Sequence, residues 1–239
     1  VPFGLAQVDE IVRPRARQLH AGIAFHQTGI DRVELDANTV HLEDGRALPY
    51  DVLIVATGTH LQPEETEGLT GPGWNEKVFT FYTPEGAAGL AEALKGFDGG
   101  KLVINFVDLP IKCPVAPLEF AFLADWYFHD TGIRDKVEIT FVTPLDGAFT
   151  KPIASDQLGS LLTEKGIELV TEFATGEVDG AGGHRPRRVH HVGVGADAGQ
   201  RFLNALEPAD RHLELAAHTG VAADGTRRHL RHAGVGRRQ

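Results

Sequence analysis

The chain's one cysteine, Cys113, lies where a thiol could do chemistry. It follows an apolar strand, Leu102 to Val107, and comes just before an apolar helix that we predict from about Ala116 to Asp130. The positive end of the helix macrodipole and the neighbouring Lys112 both favour a thiolate there. Glu119, in the first helical turn, lies close enough to exchange protons around the thiol. The pattern predicts a reactive thiol, and a buried structural cysteine is the alternative.

The elements around this cysteine form a strand–helix–strand unit. A second strand, Val137 to Val142, follows the helix after a stop at Gly132. This order predicts a parallel sheet of the kind that binds dinucleotides. A dinucleotide site needs a Gly-x-Gly-x-x-Gly turn, so that pyrophosphate can approach backbone N–H groups. The segment from Asp108 to Pro117 contains no glycine, so we expect no NAD(P)H cradle there.

Further elements support an α/β fold. Apolar alternation around Asp44-Gly45 predicts a hairpin, and Gly166 marks a helix stop. Helices are predicted from Thr83 to about Lys95 and from Ser155 to Lys165, with a strand from Ile167 to Phe173. No run of eighteen apolar residues predicts a membrane span, and one cysteine excludes a disulfide framework.

Two segments resemble a known family. Lys112-Cys-Pro-Val-Ala-Pro-Leu-Glu-Phe-Ala-Phe122 resembles the cysteine segment of sulfide:quinone oxidoreductases, which belong to the FAD-dependent pyridine nucleotide-disulfide oxidoreductase superfamily. Asp44 to Gly58, which ends in Val-Ala-Thr-Gly, resembles the superfamily's ATG strand. The resemblance covers roughly residues 10 to 180. It implies a Rossmann-like FAD/NAD(P)-binding fold, with Ala56, Thr57 and Gly58 against the flavin of FAD.

The resemblance also implies a function. It is the FAD-dependent oxidation of sulfide or sulfane sulfur with quinone as electron acceptor, with Cys113 carrying sulfur and Glu119 shuttling protons. The partners would be sulfide or polysulfide, a quinone and a membrane surface, with no nucleic acid. The location implied for the full-length family is cytoplasmic and peripheral to the inner membrane. His60, just after the ATG strand, either approaches flavin or quinone or is an exposed loop histidine.

The first residue is Val1 and the chain contains no methionine, so we expect a fragment whose fold is incomplete at both ends. The family's FAD-binding glycine turn would precede Val1. We divide the chain into a partial FAD-binding domain at 1–83 with the hairpin and the ATG strand, a second Rossmann-like domain at 84–183 with Cys113, and an irregular basic tail at 184–239.

The tail differs in composition from the rest. Residues 184–239 contain ten Arg, no Lys, five acidic residues and seven His. We interpret them as an out-of-frame reading of a GC-rich gene. The alternative is a His-rich tail that binds nucleic acid or metal through His190, His191, His229 and His232. We expect no metal site, because zinc ligands form tighter convergent sets.

Other functions remain open. A type II NADH:quinone dehydrogenase-like flavoprotein shares the ATG strand but needs glycines between Asp108 and Pro117. A dithiol reductase needs paired cysteines, which one cysteine all but excludes. A non-catalytic remnant or interaction module is the third alternative. We expect the chain to be inactive in its present form, because one cysteine cannot form an intramolecular disulfide.

Overall fold

The computed structural model describes residues 1–178 and, as backbone alone, residues 212–217. It divides into two compact units, one of Val1–Val8 with Thr59–Gln239 and the other of Asp9–Gly58. The predicted domain boundaries at 83 and 183 stay a prediction. The helices are α1 (Val8–Ile11), α2 (Pro84–Lys95), α3 (Ala116–Asp130) and α4 (Pro152–Glu164). The strands are β1 (Ile30–Glu34), β2 (Thr39–Leu42), β3 (Ala47–Pro49), β4 (Val78–Phe79), β5 (Gly100–Phe106), β6 (Val137–Val142), β7 (Ile167–Val170) and β8 (His212–Ala217).

In the smaller unit, β1, β2 and β3 form an antiparallel sheet in that order. The predicted Asp44-Gly45 turn joins β2 to β3. Gly45 has a φ of 87°, a left-handed conformation that glycine adopts without steric cost. The amide of Leu42 donates to the carbonyl of Arg46 at 2.8 Å. A hydrogen bond from the Arg46 side chain is the main reason that the pKa of Asp44 is lowered. The predicted hairpin is confirmed.

The segment that resembles the ATG strand is not a strand here. After β3, residues 51–58 are assigned to no helix or strand. Val52, Ile54 and Val55 are 80%, 82% and 72% exposed. A strand forms only where a neighbouring strand pairs with its backbone groups, and no strand among the described residues pairs with these. The prediction of a strand at this segment is therefore wrong for this structure.

The larger unit contains a five-stranded parallel sheet in the order β4-β8-β5-β6-β7. β5 and β6 pair in register from Gly100 opposite Val137 to Asn105 opposite Val142, and α3 connects them. The predicted strand–helix–strand unit is confirmed, and α3 and β6 have the predicted bounds. The fold is thus Rossmann-like α/β.

β8 is an unpredicted strand in the sequence that we interpreted as an irregular tail. Its backbone pairs with β5 from Lys101 opposite His212 to Phe106 opposite Ala217, and it also pairs with β4. The interpretation of an irregular tail is wrong for these six residues. In the sequence, Leu213 and Leu215 alternate with His212 and Glu214, a period-two pattern that suits a strand. The other residues of the predicted tail lie outside the described part of the chain.

The main core lies between helices and the sheet. α2, α3 and α4 pack against alternate residues of β5 and β6, such as Leu102 and Phe141. The buried side chains from the helices are Leu90, Leu94, Leu118, Phe120, Ala121, Ala124, Phe128 and Leu162. Burial of a large apolar side chain stabilises the fold by about 1.5–3 kcal/mol, so this layer fixes α3 on the sheet.

The ends of the helices follow local sequence signals. The hydroxyl of Thr83 accepts a hydrogen bond from the Gly86 amide at 3.0 Å and caps α2. α3 ends before Gly132, which has a φ of 73°. There the amides of Gly132 and Ile133 donate to the carbonyls of His129 and Phe128, the pattern of a Schellman motif. These signals explain why α2 begins and α3 ends where the sequence predicts.

An ionic cluster around the buried side chain of Asp125 joins α3 to the segments before β6 and β7. The side chain of Asp125 is 2% exposed, and it accepts hydrogen bonds from Arg134 at 2.7 Å and Lys165 at 2.9 Å. Arg134 also donates to the carbonyls of Val137, Lys165 and Gly166. One guanidinium thus joins α3, the start of β6 and the turn before β7.

Candidate functional site

Cys113 is exposed in the loop between β5 and α3, at the carboxyl end of β5. Ligands bind at this edge in open parallel sheets. The alternative that Cys113 is a buried structural cysteine is therefore wrong for this structure. The backbone of Cys113 has a φ of 53°, which is uncommon for a residue other than glycine. The Ala116 amide donates to the Cys113 carbonyl at 3.0 Å, so the cysteine directly precedes the first turn of α3.

Tyr82 is the second member of the site. Its hydroxyl donates to the backbone carbonyl of Cys113 at 3.3 Å. Burial raises the pKa of the Tyr82 phenol, and the negative charges of Cys113 and Glu119 act in the same direction. The phenol is therefore neutral at physiological pH and remains a hydrogen-bond donor.

Glu119 lies exposed in the first turn of α3. Its amide donates to the carbonyl of Val115 at 3.0 Å, so it belongs to the regular helix. Its charge acts on the same phenol as that of Cys113. The structure thus brings Tyr82 into contact with Cys113 and places Glu119 in the first turn of the helix that follows the cysteine, while the proton-shuttling role of Glu119 stays a prediction. Lys112 is exposed next to the thiol.

The loop between β4 and α2 positions Tyr82. The Tyr82 amide donates to the Thr80 hydroxyl at 3.3 Å, and Thr83 caps α2 directly after it. At Gly86 an added Cβ would lie 2.1 Å from the Thr80 carbonyl oxygen. Only a glycine permits this close approach of α2 to the loop.

Sequence reasoning missed Tyr82. Its partner is 31 positions away, and no motif joins the two segments. One signal was present: Tyr82 directly follows an apolar strand, as the Cys113 loop does, and the carboxyl ends of parallel strands meet at one sheet edge.

The residues expected against a flavin, Ala56, Thr57 and Gly58, belong to the smaller unit. All three are exposed. Gly58 has a φ of 75°, and no atom lies within 4 Å of the position that a Cβ would occupy. Among the residues described by the structure, none hydrogen-bonds to this backbone. The open backbone fits the approach of a planar ring system.

His60 is also exposed, in the loop after this segment. Within residues 1–178, no group of three or more His, Cys, Asp or Glu side chains could hold a metal ion. The histidines considered as metal ligands, His190, His191, His229 and His232, lie outside the described residues. No helix in the described part of the chain is long and apolar enough to cross a bilayer.

Comparisons with curated proteins find sulfide:quinone oxidoreductases. No family model matches the chain. The mitochondrial sulfide:quinone oxidoreductase of Mus musculus is 27% identical over 169 residues, which cover 71% of this chain and 38% of that protein. The sulfide-quinone reductase of Aquifex aeolicus is 27% identical over 189 residues, which cover 74% of this chain and 41% of that protein.

Solved structures agree on the fold. The sulfide:quinone oxidoreductase from Aquifex aeolicus superposes with a TM-score of 0.59 at 22% identity, covering 82% of this chain and 42% of that one. A ferredoxin reductase from Rhodopseudomonas palustris superposes with a TM-score of 0.51 at 18% identity, covering 85% and 43%. The parallel sheet and these likenesses show that the chain has the Rossmann-like α/β fold of these oxidoreductases.

Within that fold class, the sequence is similar to sulfide:quinone oxidoreductases. It spans about two fifths of the length of the two curated relatives described above.

Proposed function

We propose that this chain is the sulfur-handling part of a flavin-dependent enzyme that oxidises sulfide or polysulfide with quinone as electron acceptor. The observation that carries the proposal is the exposed thiol of Cys113 at the carboxyl end of β5. The names of the curated relatives give the substrate and the acceptor. The glycine-free turn beside the thiol disfavours a nicotinamide donor.

Cys113 would act as the sulfur carrier. When its thiolate joins with hydrosulfide, an S–S bond forms and two electrons are released. A bound flavin would supply the two-electron acceptor that this oxidation needs. When polysulfide is the donor, the thiolate takes one sulfane sulfur and a shorter polysulfide leaves, with no net oxidation. In both cases the product on the protein is a Cys113 persulfide.

Glu119 would accept the proton that hydrogen sulfide loses in this reaction. Hydrogen sulfide must lose a proton before it reacts as hydrosulfide, and a nearby carboxylate can accept that proton. The exposed position of Glu119 in the first turn of α3 lets it pass the proton on to water. The positive end of the helix macrodipole favours both anions at this terminus.

The flavin would be held in part by the backbone of Ala56, Thr57 and Gly58. Their exposure and the open space beside Gly58 support this assignment. A quinone acceptor extends the proposal to a membrane surface, because lipid-soluble quinones reside in the bilayer. No nucleic acid has a part in this function.

The decisive experiment uses the single thiol as its own reporter. The purified 239-residue chain is incubated with polysulfide and analysed by intact mass spectrometry. We expect one added sulfur atom that dithiothreitol removes, and none in Cys113→Ser. Failure of the wild-type chain to gain sulfur contradicts a sulfur-handling role.

Turnover is tested separately. FAD-loaded chain is mixed with sulfide and a soluble quinone, and quinone reduction is followed by absorbance. We expect no reduction by this chain, because one cysteine cannot form an intramolecular disulfide. In a full-length relative that carries this segment, we expect reduction that Cys113→Ser abolishes while the bound-flavin spectrum is unchanged. Sulfur uptake without quinone reduction would favour the non-catalytic alternative for this chain.

A further inference from the structure

The backbone of Cys113 adopts an uncommon conformation and accepts a hydrogen bond from a side chain of another loop. Its φ of 53° lies in the left-handed region, where an L-residue with a Cβ is disfavoured. Such a conformation persists only where its surroundings over-determine it. Two donors converge on the Cys113 carbonyl, the Ala116 amide at 3.0 Å and the Tyr82 hydroxyl at 3.3 Å. The Ala116 bond closes the local turn, and the Tyr82 bond is the one that comes from outside it.

We propose that Tyr82 is a positioning residue that holds Cys113 in the conformation which presents its thiol to ligands. The consequence for sulfur chemistry rests on the proposed function, whereas the positioning itself does not. Tyr82 touches the backbone of Cys113 rather than a reacting atom, so it acts through the cysteine.

The ring of Tyr82 is well placed to act as an anchor. It stacks on Phe81 with ring centroids 4.8 Å apart, and Phe81 stacks on Phe120 of α3 at the same distance, with the planes 9° apart. Phe120 is 4% exposed and belongs to the main core. Because offset-stacked rings restrain one another, the Tyr82 hydroxyl is tied to the same helix that begins just after the cysteine.

The hydroxyl remains a donor under the conditions in which a thiolate acts. Burial, the main cause, and the neighbouring Cys113 and Glu119 raise the pKa of the phenol, so the Tyr82 hydroxyl stays protonated at physiological pH and above. A phenylalanine at this position would keep the ring stack and lose only the donor. Removal of the hydroxyl therefore isolates the proposed role.

The test uses Tyr82→Phe, with Tyr127→Phe as the matched control. Tyr127 is also half-buried and contacts the rings of Phe3 and Phe128 at tilted angles, so the control removes the same atom from another packed tyrosine. Iodoacetamide reacts only with Cys113, because the chain has one cysteine. We expect the alkylation rate to fall about threefold to tenfold in Tyr82→Phe, as for the loss of one neutral hydrogen bond. The rate should be unchanged in Tyr127→Phe.

A spectroscopic readout follows the hydrogen bond itself. Cysteine labelled with carbon-13 at its carbonyl gives a single resonance, that of Cys113. We expect this resonance to move upfield in Tyr82→Phe and to stay in place in Tyr127→Phe. An unchanged alkylation rate together with an unmoved carbonyl resonance overturns the proposal.

A second measurement keeps the Tyr82 hydroxyl and changes only its strength as a hydrogen-bond donor. Replacement of the three tyrosines by 3-fluorotyrosine makes each phenol a stronger donor, so the Cys113 carbonyl resonance should move downfield in the otherwise unaltered chain. If it does not move, Tyr82 does not hold Cys113. Because neither readout involves sulfide, a failure of sulfur uptake leaves the positioning result standing, and the reverse is also true.

Discussion

The guanidinium of Arg134 and the carboxylate of Asp125 form a buried ion pair with a hydrogen bond of 2.7 Å, and Lys165 binds the other carboxylate oxygen. Burial opposes ionisation of Asp125, but the hydrogen bonds from Arg134 and Lys165 outweigh it and lower the pKa of the carboxyl group. The carboxylate therefore stabilises the fold at pH values above its ordinary pKa of 3.8. That contribution is lost as the pH falls through the still lower pKa of the folded protein.

We predict that Asp125→Asn lowers the free energy of unfolding by about 1–3 kcal/mol at pH 7, because two partly exposed cations lose their charged hydrogen-bond partner. Urea denaturation followed by circular dichroism measures the change. The difference from wild type should shrink below pH 3.8. Asp130→Asn is the control on the same helix. Asp130 is exposed, so its change should stay within about 0.5 kcal/mol. Equal effects of the two substitutions would contradict the importance of the ion pair.

Substitution of two glycines of α2 by alanine should change the stability of the fold in opposite directions. Gly86→Ala should destabilise the fold by about 1–3 kcal/mol, because its Cβ would lie 2.1 Å from the Thr80 carbonyl oxygen. Gly89→Ala should stabilise it by up to about 1 kcal/mol, because its Cβ would meet only the Phe79 ring at 3.6 Å and alanine favours a helix. Thermal unfolding of both variants measures the contrast. A stabilising Gly86→Ala would mean that α2 does not approach Thr80 closely.

In a full-length relative that carries this segment, Glu119→Gln should slow sulfide-dependent quinone reduction roughly 100-fold, as expected for the loss of a positioned acid–base group. The substitution keeps the shape of the side chain and should leave sulfur uptake from polysulfide intact, since that exchange needs no proton acceptor. Steady-state kinetics and mass spectrometry report on the two steps separately. The control is Glu164→Gln, an exposed glutamate at the end of α4. A Glu119→Gln rate within twofold of wild type would remove Glu119 from the site.

NADH should neither bind nor reduce the flavin-loaded protein. The turn from Asp108 to Pro117 has no glycine, so no row of free N–H groups is available for a pyrophosphate. Stopped-flow mixing with NADH under anaerobic conditions tests this, with dithionite as the positive control for flavin reduction. Bleaching of the flavin band by micromolar NADH would favour the type II dehydrogenase instead.

Much of the larger unit could be predicted from local patterns. α3 and β6 begin and end as expected, because Pro117 suits the first helical turn, Gly132 stops the helix and apolar residues mark the buried positions. The ATG segment has the pattern of a strand without becoming one, because a strand depends on a partner elsewhere. β8 was missed because the composition of 56 residues obscured a six-residue alternation. Tyr82 was missed because its contact with Cys113 is long-range.

The position of β8 sets an order of assembly. It is the last strand of the sheet in the sequence, yet it lies between β4 and β5, so the ribosome delivers both neighbours well before the strand that joins them. Until then, β4 and one edge of β5 carry unpaired backbone groups that can capture other chains. Pairing of Lys101 with His212 then requires closure of a long loop, and contacts so distant in sequence form slowly. The loops that carry Tyr82 and Cys113 follow those two strands, so the site acquires its final support only after β8 has been synthesised.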